Sequence, residues 1–75
     1  MKKLRVNTAN SSHKELVAIA IKCGFDLYEG GKHTKVKTKS GEFVTEVPRH
    51  DLLNKYTARG IVEAMNAHGA KIDFS

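Results

Sequence analysis

His33 is the residue whose neighbours best suit proton-transfer chemistry. It follows Gly30, Gly31 and Lys32, and Lys35 comes two positions later. Imidazole exchanges protons near neutral pH, glycines leave the backbone open to approach, and lysines offset negative charge. A phosphodiester can therefore come close while the imidazole moves a proton. A histidine at the start of an exposed strand is also commonly inert, and both interpretations stay open on these residues alone.

The other three histidines point less clearly to chemistry. His13 lies among polar residues in the first turn of a predicted helix, which predicts an exposed surface position. His68 lies in the last turn of a second predicted helix, where a cation suits the helix dipole, so a structural role is predicted. His50 follows Pro48 and Arg49 in a predicted loop, and both anion contact and loop structure fit it.

Cys23 is the single cysteine, so an internal disulfide is excluded and a reducing compartment is expected. No two residues among Cys23 and the histidines stand at the short spacings of a zinc site, and we predict neither a metal nor a cofactor. Cys23 falls on the apolar face of a predicted helix, which disfavours a cysteine–histidine nucleophile pair. The run Gly30-Gly31-Lys32 lacks the rest of a phosphate-binding P-loop.

The chain has 75 residues and a formal charge of +5. An anionic partner, above all nucleic acid, fits this charge, and so does a solvated strand face that keeps a small protein soluble. No apolar run is long enough to cross a membrane, and no apolar region follows the basic start. We therefore expect no signal peptide and a cytoplasmic protein. Lysines without an acidic residue among them are concentrated between positions 31 and 41: Lys32, Lys35, Lys37 and Lys39.

Two amphipathic helices are predicted to support this segment. The first begins after Ser12, which forms a capping box with Glu15, and ends at Gly24. The second begins near Thr57 as its N-cap and ends at Gly69. Apolar residues recur at helical spacing in both: Leu16, Ile19, Ala20 and Cys23 in the first, and Ile61, Ala64, Met65 and His68 in the second.

Three strands are predicted between the helices, over residues 25–29, 32–39 and 42–47. Two-residue turns at Gly30-Gly31 and Ser40-Gly41 join them and fix their pairing. Tyr28 then lies opposite His33, Asp26 opposite Lys35, and Lys35 opposite Glu46. One sheet face is apolar and the other polar: Phe25, Leu27, Val36, Phe43 and Val47 on the first, and Asp26, Tyr28, His33, Lys35, Lys37, Lys39, Glu42 and Glu46 on the second.

The helix–strand–strand–strand–helix order predicts an α+β two-layer sandwich with a three-stranded antiparallel sheet. Both helices lie on the apolar face, and the polar face stays open. Residues 12–75 form the single domain, and residues 1–11 are predicted to be a loose arm, although the alternation of Leu4 and Val6 also allows a short strand. A core this small is marginally stable alone, so a stabilising partner or a homo-oligomer is compatible with it.

Several short motifs occur together in one order. They are Cys23-Gly24-Phe25 at a helix end, Gly31-Lys32-His33, Val47-Pro48-Arg49-His50, and the helix start Thr57-Ala58-Arg59-Gly60-Ile61. This ordered set, over roughly residues 12–72, resembles the HicA toxin family of type II toxin–antitoxin systems.

The resemblance implies a fold like that of a double-stranded-RNA-binding domain. It also implies an mRNA-cleaving endoribonuclease that a HicB-like antitoxin holds inactive. The family's catalytic histidine maps by position onto His33, and its Pro-x-His element maps onto Pro48 and His50. Two features depart from the family: Lys32 stands where serine is usual, and the segment before Ser12 is longer.

We therefore expect a small RNase toxin that acts on mRNA. The 2′-hydroxyl of RNA allows cleavage without a metal, and His33 can assist it as a general base. A non-catalytic RNA-binding module of the same fold is the alternative, and a scaffold that binds only a protein through its open sheet face is a third interpretation. The residues expected to contact RNA are Lys32, Lys35, Lys37, Tyr28, Arg49 and His50.

Overall fold

The structure is a computed structural model and describes residues 4–74. The three strands between the two helices form an antiparallel sheet, and the first and last described strands pair in parallel. The predicted α+β class, with three antiparallel strands between two helices, is confirmed. Among the described residues, no helix is long and apolar enough to cross a membrane. The elements are β1 (Leu4–Val6), a 3₁₀ turn (Thr8–Asn10), α1 (His13–Lys22), β2 (Asp26–Gly30), β3 (His33–Lys37), β4 (Phe43–Pro48), α2 (Lys55–Ala67) and β5 (Ile72–Phe74).

The N-cap of α1 is the predicted one, whereas that of α2 is not. The Ser12 hydroxyl accepts a hydrogen bond from the Glu15 N–H at 3.2 Å, which satisfies one of the free donors of the first turn. Helix α2 begins earlier than predicted because Asn54, and not Thr57, is its N-cap. The Asn54 side chain accepts from the Tyr56 N–H at 2.8 Å.

Strands β2 and β3 pair two residues away from the predicted register. The turn is Gly31-Lys32, so Gly30 lies opposite His33 and Tyr28 opposite Lys35. Gly31 has a φ of +74°, and a positive φ at the first central residue is the requirement of a type II′ hairpin turn. The predicted pairing of Tyr28 with His33 is wrong. Because the slip is an even number of residues, each side chain keeps its predicted face.

A bulge in β4 changes which aromatic residue reaches the core. Lys35 pairs with Glu46 as predicted, and Val36 pairs with Thr45 in the same register. Lys37, however, lies opposite Phe43, which leaves Val44 as an extra residue. One extra residue reverses the alternation of side chains beyond it. Val44 is consequently buried, and Phe43, predicted to face the helices, is 52% exposed on the opposite face.

The hydrophobic core lies between the sheet and the two helices. Leu27, which is predicted to form part of the core, is half-buried and packs against it. The other predicted core residues, apart from Phe43, are buried: Leu16, Ile19, Phe25, Val36, Val47, Ile61 and Met65. We call the opposite side of the sheet the outer face. Its side chains are Asp26, Tyr28, His33, Lys35, Lys37, Phe43 and Glu46.

The segment before α1 is part of the packed domain. The prediction of a loose arm over residues 1–11 is wrong for its described part, because β1 pairs with β5 and Val6 is only 1% exposed. The Ser11 carbonyl also accepts a hydrogen bond from the Leu53 N–H at 2.8 Å. The short strand allowed by the Leu4 and Val6 alternation is therefore present. Residues 1–3 lie outside the described part.

His13 links α1 to β3 beside His33. It was predicted to be exposed, but it is half-buried, and its Nε2 lies 2.8 Å from the Oγ1 of Thr34. Thr34 itself is buried, at 1% exposure. This pair fixes the start of α1 against the strand that carries His33.

We expect His13→Ala to lower the free energy of unfolding by about 1–3 kcal/mol, because it leaves the buried Thr34 hydroxyl without its partner. Thr34→Val removes the hydroxyl itself and fills the same space, so it should cost less. Urea denaturation of both variants and of the double variant measures the coupling. Equal losses in the two single variants would contradict this account.

Candidate functional site

The histidine predicted to be catalytic lies at one end of the outer face. His33 begins β3, and its side chain is 44% exposed. Its Nδ1 lies 3.6 Å from the Oε2 of Glu46 on the neighbouring strand. No other described residue forms an ion pair or a hydrogen bond with the imidazole ring. Its Nε2 can therefore accept a proton from a substrate that approaches the outer face.

The Glu46 carboxylate contacts a diagonal neighbour across the sheet. Glu46 lies opposite Lys35 in the sheet, as predicted, but its carboxylate contacts His33 and not the lysine. Pro48 is the residue directly opposite His33, so Glu46 is its diagonal neighbour two positions away. Diagonal neighbours lie within reach of long side chains, and this rule is the signal that could have identified the pair.

Cationic side chains lie on both sides of His33 in the sequence, in the turn before β3 and along β3 itself. Lys35 and Lys32 are exposed, and neither forms an ion pair with another described residue. The Lys37 ammonium lies 4.8 Å from the centre of the Tyr28 ring, a distance typical of a cation–π interaction. Lys39 forms an ion pair with Asp26 on β2 at 2.6 Å. The outer face therefore keeps uncompensated positive charge next to His33.

Arg49 and His50 lie in the loop after β4, which begins next to Pro48, the residue opposite His33. Arg49 contacts the carboxylate of Glu29. The backbone carbonyl of His50 accepts a hydrogen bond from the His13 N–H at 3.2 Å. Both residues line an open cavity of about 300 Å³ at the start of α1, together with Lys14. Of the predicted RNA-contacting residues, the structure brings Tyr28, Lys35 and Lys37 onto one face with His33 and places Lys32 in the adjoining turn. Arg49 and His50 lie in the loop after β4.

Other chemistry has little support among the described residues. No three histidine, cysteine, aspartate or glutamate side chains within residues 4–74 come together as metal ligands. Burial raises the pKa of the Cys23 thiol, which keeps it in the unreactive protonated form near neutral pH. Cys23 is half-buried at the end of α1, next to the core.

Comparison of the chain with protein-family models, with curated proteins and with solved structures finds no match. The fold and the outer face are therefore the observations from which a function is inferred.

Proposed function

We propose that this protein is a small endoribonuclease of the HicA-like kind, the toxin of a toxin–antitoxin pair, with RNA bound on the outer face. The observation that carries the proposal is the contact of His33 with Glu46 on an open face rich in lysines. The core order of helix, three strands and helix agrees with the double-stranded-RNA-binding-domain-like fold that the resemblance implies. Strands β1 and β5 are additions to that order.

In the proposed reaction, the nucleophile comes from the substrate. The His33 Nε2 takes the proton of a ribose 2′-hydroxyl, and the 2′ oxygen attacks the adjacent phosphorus. The bond from phosphorus to the 5′ oxygen breaks, and that oxygen leaves with the electron pair and takes a proton from solvent on the open face. The products are a 2′,3′-cyclic phosphate and a 5′-hydroxyl, so the step needs no metal.

Glu46 and the lysines have separate tasks in this scheme. The carboxylate lies 3.6 Å from Nδ1 and balances part of the charge that the imidazole gains on taking a proton. Lys32 and Lys35 form no ion pair within residues 4–74, so their ammonium groups can offset the charge building on the phosphate oxygens. Lys32 replaces the serine of the family motif, so in this chain the residue before His33 supplies charge as well as a hydrogen-bond donor.

An antitoxin of the HicB-like kind is the proposed protein partner. The free ammonium groups of Lys32 and Lys35 favour a partner that places carboxylates over the outer face. Such a partner covers His33 and competes with RNA. Because the contact joins carboxylates to lysines, the affinity of the partner falls as the salt concentration rises.

The test of the proposed chemistry uses the substrate. An RNA oligonucleotide that the protein cuts at one position is compared with the same oligonucleotide carrying a single 2′-deoxyribose at that position. We expect cleavage there to stop, the all-RNA substrate to yield 2′,3′-cyclic phosphate ends, and EDTA to leave the rate unchanged. Cleavage of the deoxy-substituted strand at the same bond would rule out internal attack. A protein that binds RNA without cutting it would instead be the non-catalytic module.

Glu46→Gln is expected to slow cleavage only modestly. The carboxylate is 43% exposed and 3.6 Å from the ring, so water screens the interaction. An exposed pair of this kind contributes about 0.2–1 kcal/mol, which corresponds to about a 1.4- to 5-fold lower kcat. KM should stay within twofold, because the same variant leaves the lysines in place. A fall of kcat below one hundredth of the parent value would show that Glu46 itself exchanges protons with the substrate.

A further inference from the structure

The outer face carries two exposed aromatic rings, which is unusual for a polar sheet surface. Tyr28 is 47% exposed on β2, and Phe43 is 52% exposed on β4. Phe43 is there because the bulge at Val44 buries the valine in its place. Bulges commonly re-aim a side chain next to a functional site.

Lys37 lies between these rings on the central strand. It is directly opposite Phe43 across one strand pair, and its ammonium lies 4.8 Å from the centre of the Tyr28 ring on the other side. A cation held over one ring and beside another suits a ligand that combines flat aromatic groups with negative charge.

The acidic groups of this face are already engaged. Asp26 forms an ion pair with Lys39 at 2.6 Å, and Glu46 contacts His33 at 3.6 Å. Lys35 has no ion pair among residues 4–74. The surface around the rings is therefore positive. Such a surface favours a polyanion as ligand over a protein that has no acidic patch.

We propose that Tyr28, Lys37 and Phe43 form a base-stacking platform that selects single-stranded RNA. Each ring stacks one base, and the Lys37 ammonium moves from the Tyr28 ring to the phosphate between the two nucleotides. In a duplex the faces of the bases are covered by their neighbours, so only a single strand can offer them to the rings. This inference rests on the proposed function for RNA as the ligand, and it adds the strand class and a contact residue, Phe43, that the sequence pattern assigned to the core.

The platform lies beside the reacting phosphate and not at it. Phe43 is opposite Lys37, and Lys37 is four residues along β3 from His33, which is about 13 Å in a strand. The rings therefore hold nucleotides next to the cleaved bond. Their loss should raise KM and leave kcat nearly unchanged.

The experiment measures binding without cleavage. In the His33→Ala background, fluorescence anisotropy follows a labelled single-stranded RNA and the same sequence as a duplex. We expect Phe43→Leu and Tyr28→Leu each to weaken single-strand binding about 5- to 150-fold, as loss of one stacked base does. Phe43→Trp keeps a ring and should keep the affinity. The duplex should bind at least tenfold more weakly than the single strand.

Tyr56→Leu is the matched control. Tyr56 is 73% exposed on α2, and the Lys55 ammonium lies 5.5 Å from the centre of its ring, so it is a lysine-covered tyrosine away from the sheet. We expect its affinity for RNA to stay within twofold of the parent. All substituted side chains are exposed, and melting temperatures should confirm that the variants fold.

The outcomes of these measurements distinguish the platform from the proposed function. Loss of binding in both leucine variants but not in Tyr56→Leu supports the platform. Unchanged binding in both, while the parent protein still cuts RNA, overturns the platform and leaves the proposed function standing. Equal affinity for the duplex also overturns it. If the parent neither binds nor cuts RNA, both inferences fail. In that case, weaker binding of an antitoxin to Phe43→Leu than to the parent would assign the rings to a protein interface.

Discussion

Replacing His33 with alanine is expected to slow RNA cleavage by about 10²- to 10⁴-fold, the usual contribution of a positioned general base. The His33 side chain is 44% exposed, and its Nδ1 lies 3.6 Å from Glu46, so the loss falls on the group proposed to take the proton. The growth arrest that follows expression of the intact chain without a partner should disappear in the same variant. Single-turnover cleavage of a defined RNA measures the rate directly.

His68→Ala is the matched control for this prediction. The Nε2 of His68 lies 3.8 Å from a carboxylate oxygen of Glu42, so it is a second histidine–glutamate contact, at the end of α2. Its removal should change the cleavage rate by less than twofold. Because the His33 side chain is 44% exposed, the melting temperature of His33→Ala should match the parent. A His33→Ala protein that folds and cuts RNA as fast as the parent would remove His33 from the mechanism.

The features that the sequence predicts correctly depend on short stretches of chain. The hydrogen bond from Glu15 to Ser12 spans three residues, and the apolar positions of α1 recur within one or two turns. The outer-face position of Lys35 and Lys37 is also predicted, because an even slip in register does not exchange the two faces of a strand. Local rules therefore predict both helices and the face that carries the candidate site.

The features that the sequence does not predict depend on contacts between distant segments. The bulge at Val44 is visible only once β3 and β4 are paired, and it alone moves Phe43 to the outer face. The contact of His33 with Glu46 depends on the same pairing. The pairing of β1 with β5 joins the two ends of the chain, and three-residue strands are too short to show a pattern. Composition and periodicity carry no information about which distant segments pair.

Removal of residues 1–11 is expected to unfold the domain. A chain of 75 residues has a stability of about 4–11 kcal/mol, and the deletion removes buried Val6, exposes Ile72 of β5, and leaves the Leu53 N–H without its acceptor. These losses are a large part of the whole. Far-UV circular dichroism on heating should show no cooperative transition in the truncated chain, whereas the intact chain should melt cooperatively.

Two point variants in β1 test whether the loss of stability comes from the packing of its side chains or only from shortening the chain. Val6 is 1% exposed, and Val6→Ala removes two buried methyl groups, so we expect a loss of about 2 kcal/mol and a melting temperature lower by about 8–16 °C. Arg5 lies on the same strand with its side chain exposed, and Arg5→Ala should change the stability by less than about 0.5 kcal/mol. Equal melting temperatures for the two variants, or a truncated chain that still melts cooperatively, would mean that β1 is dispensable. In that case the loose arm predicted from the sequence would describe the segment better than the strand pairing does.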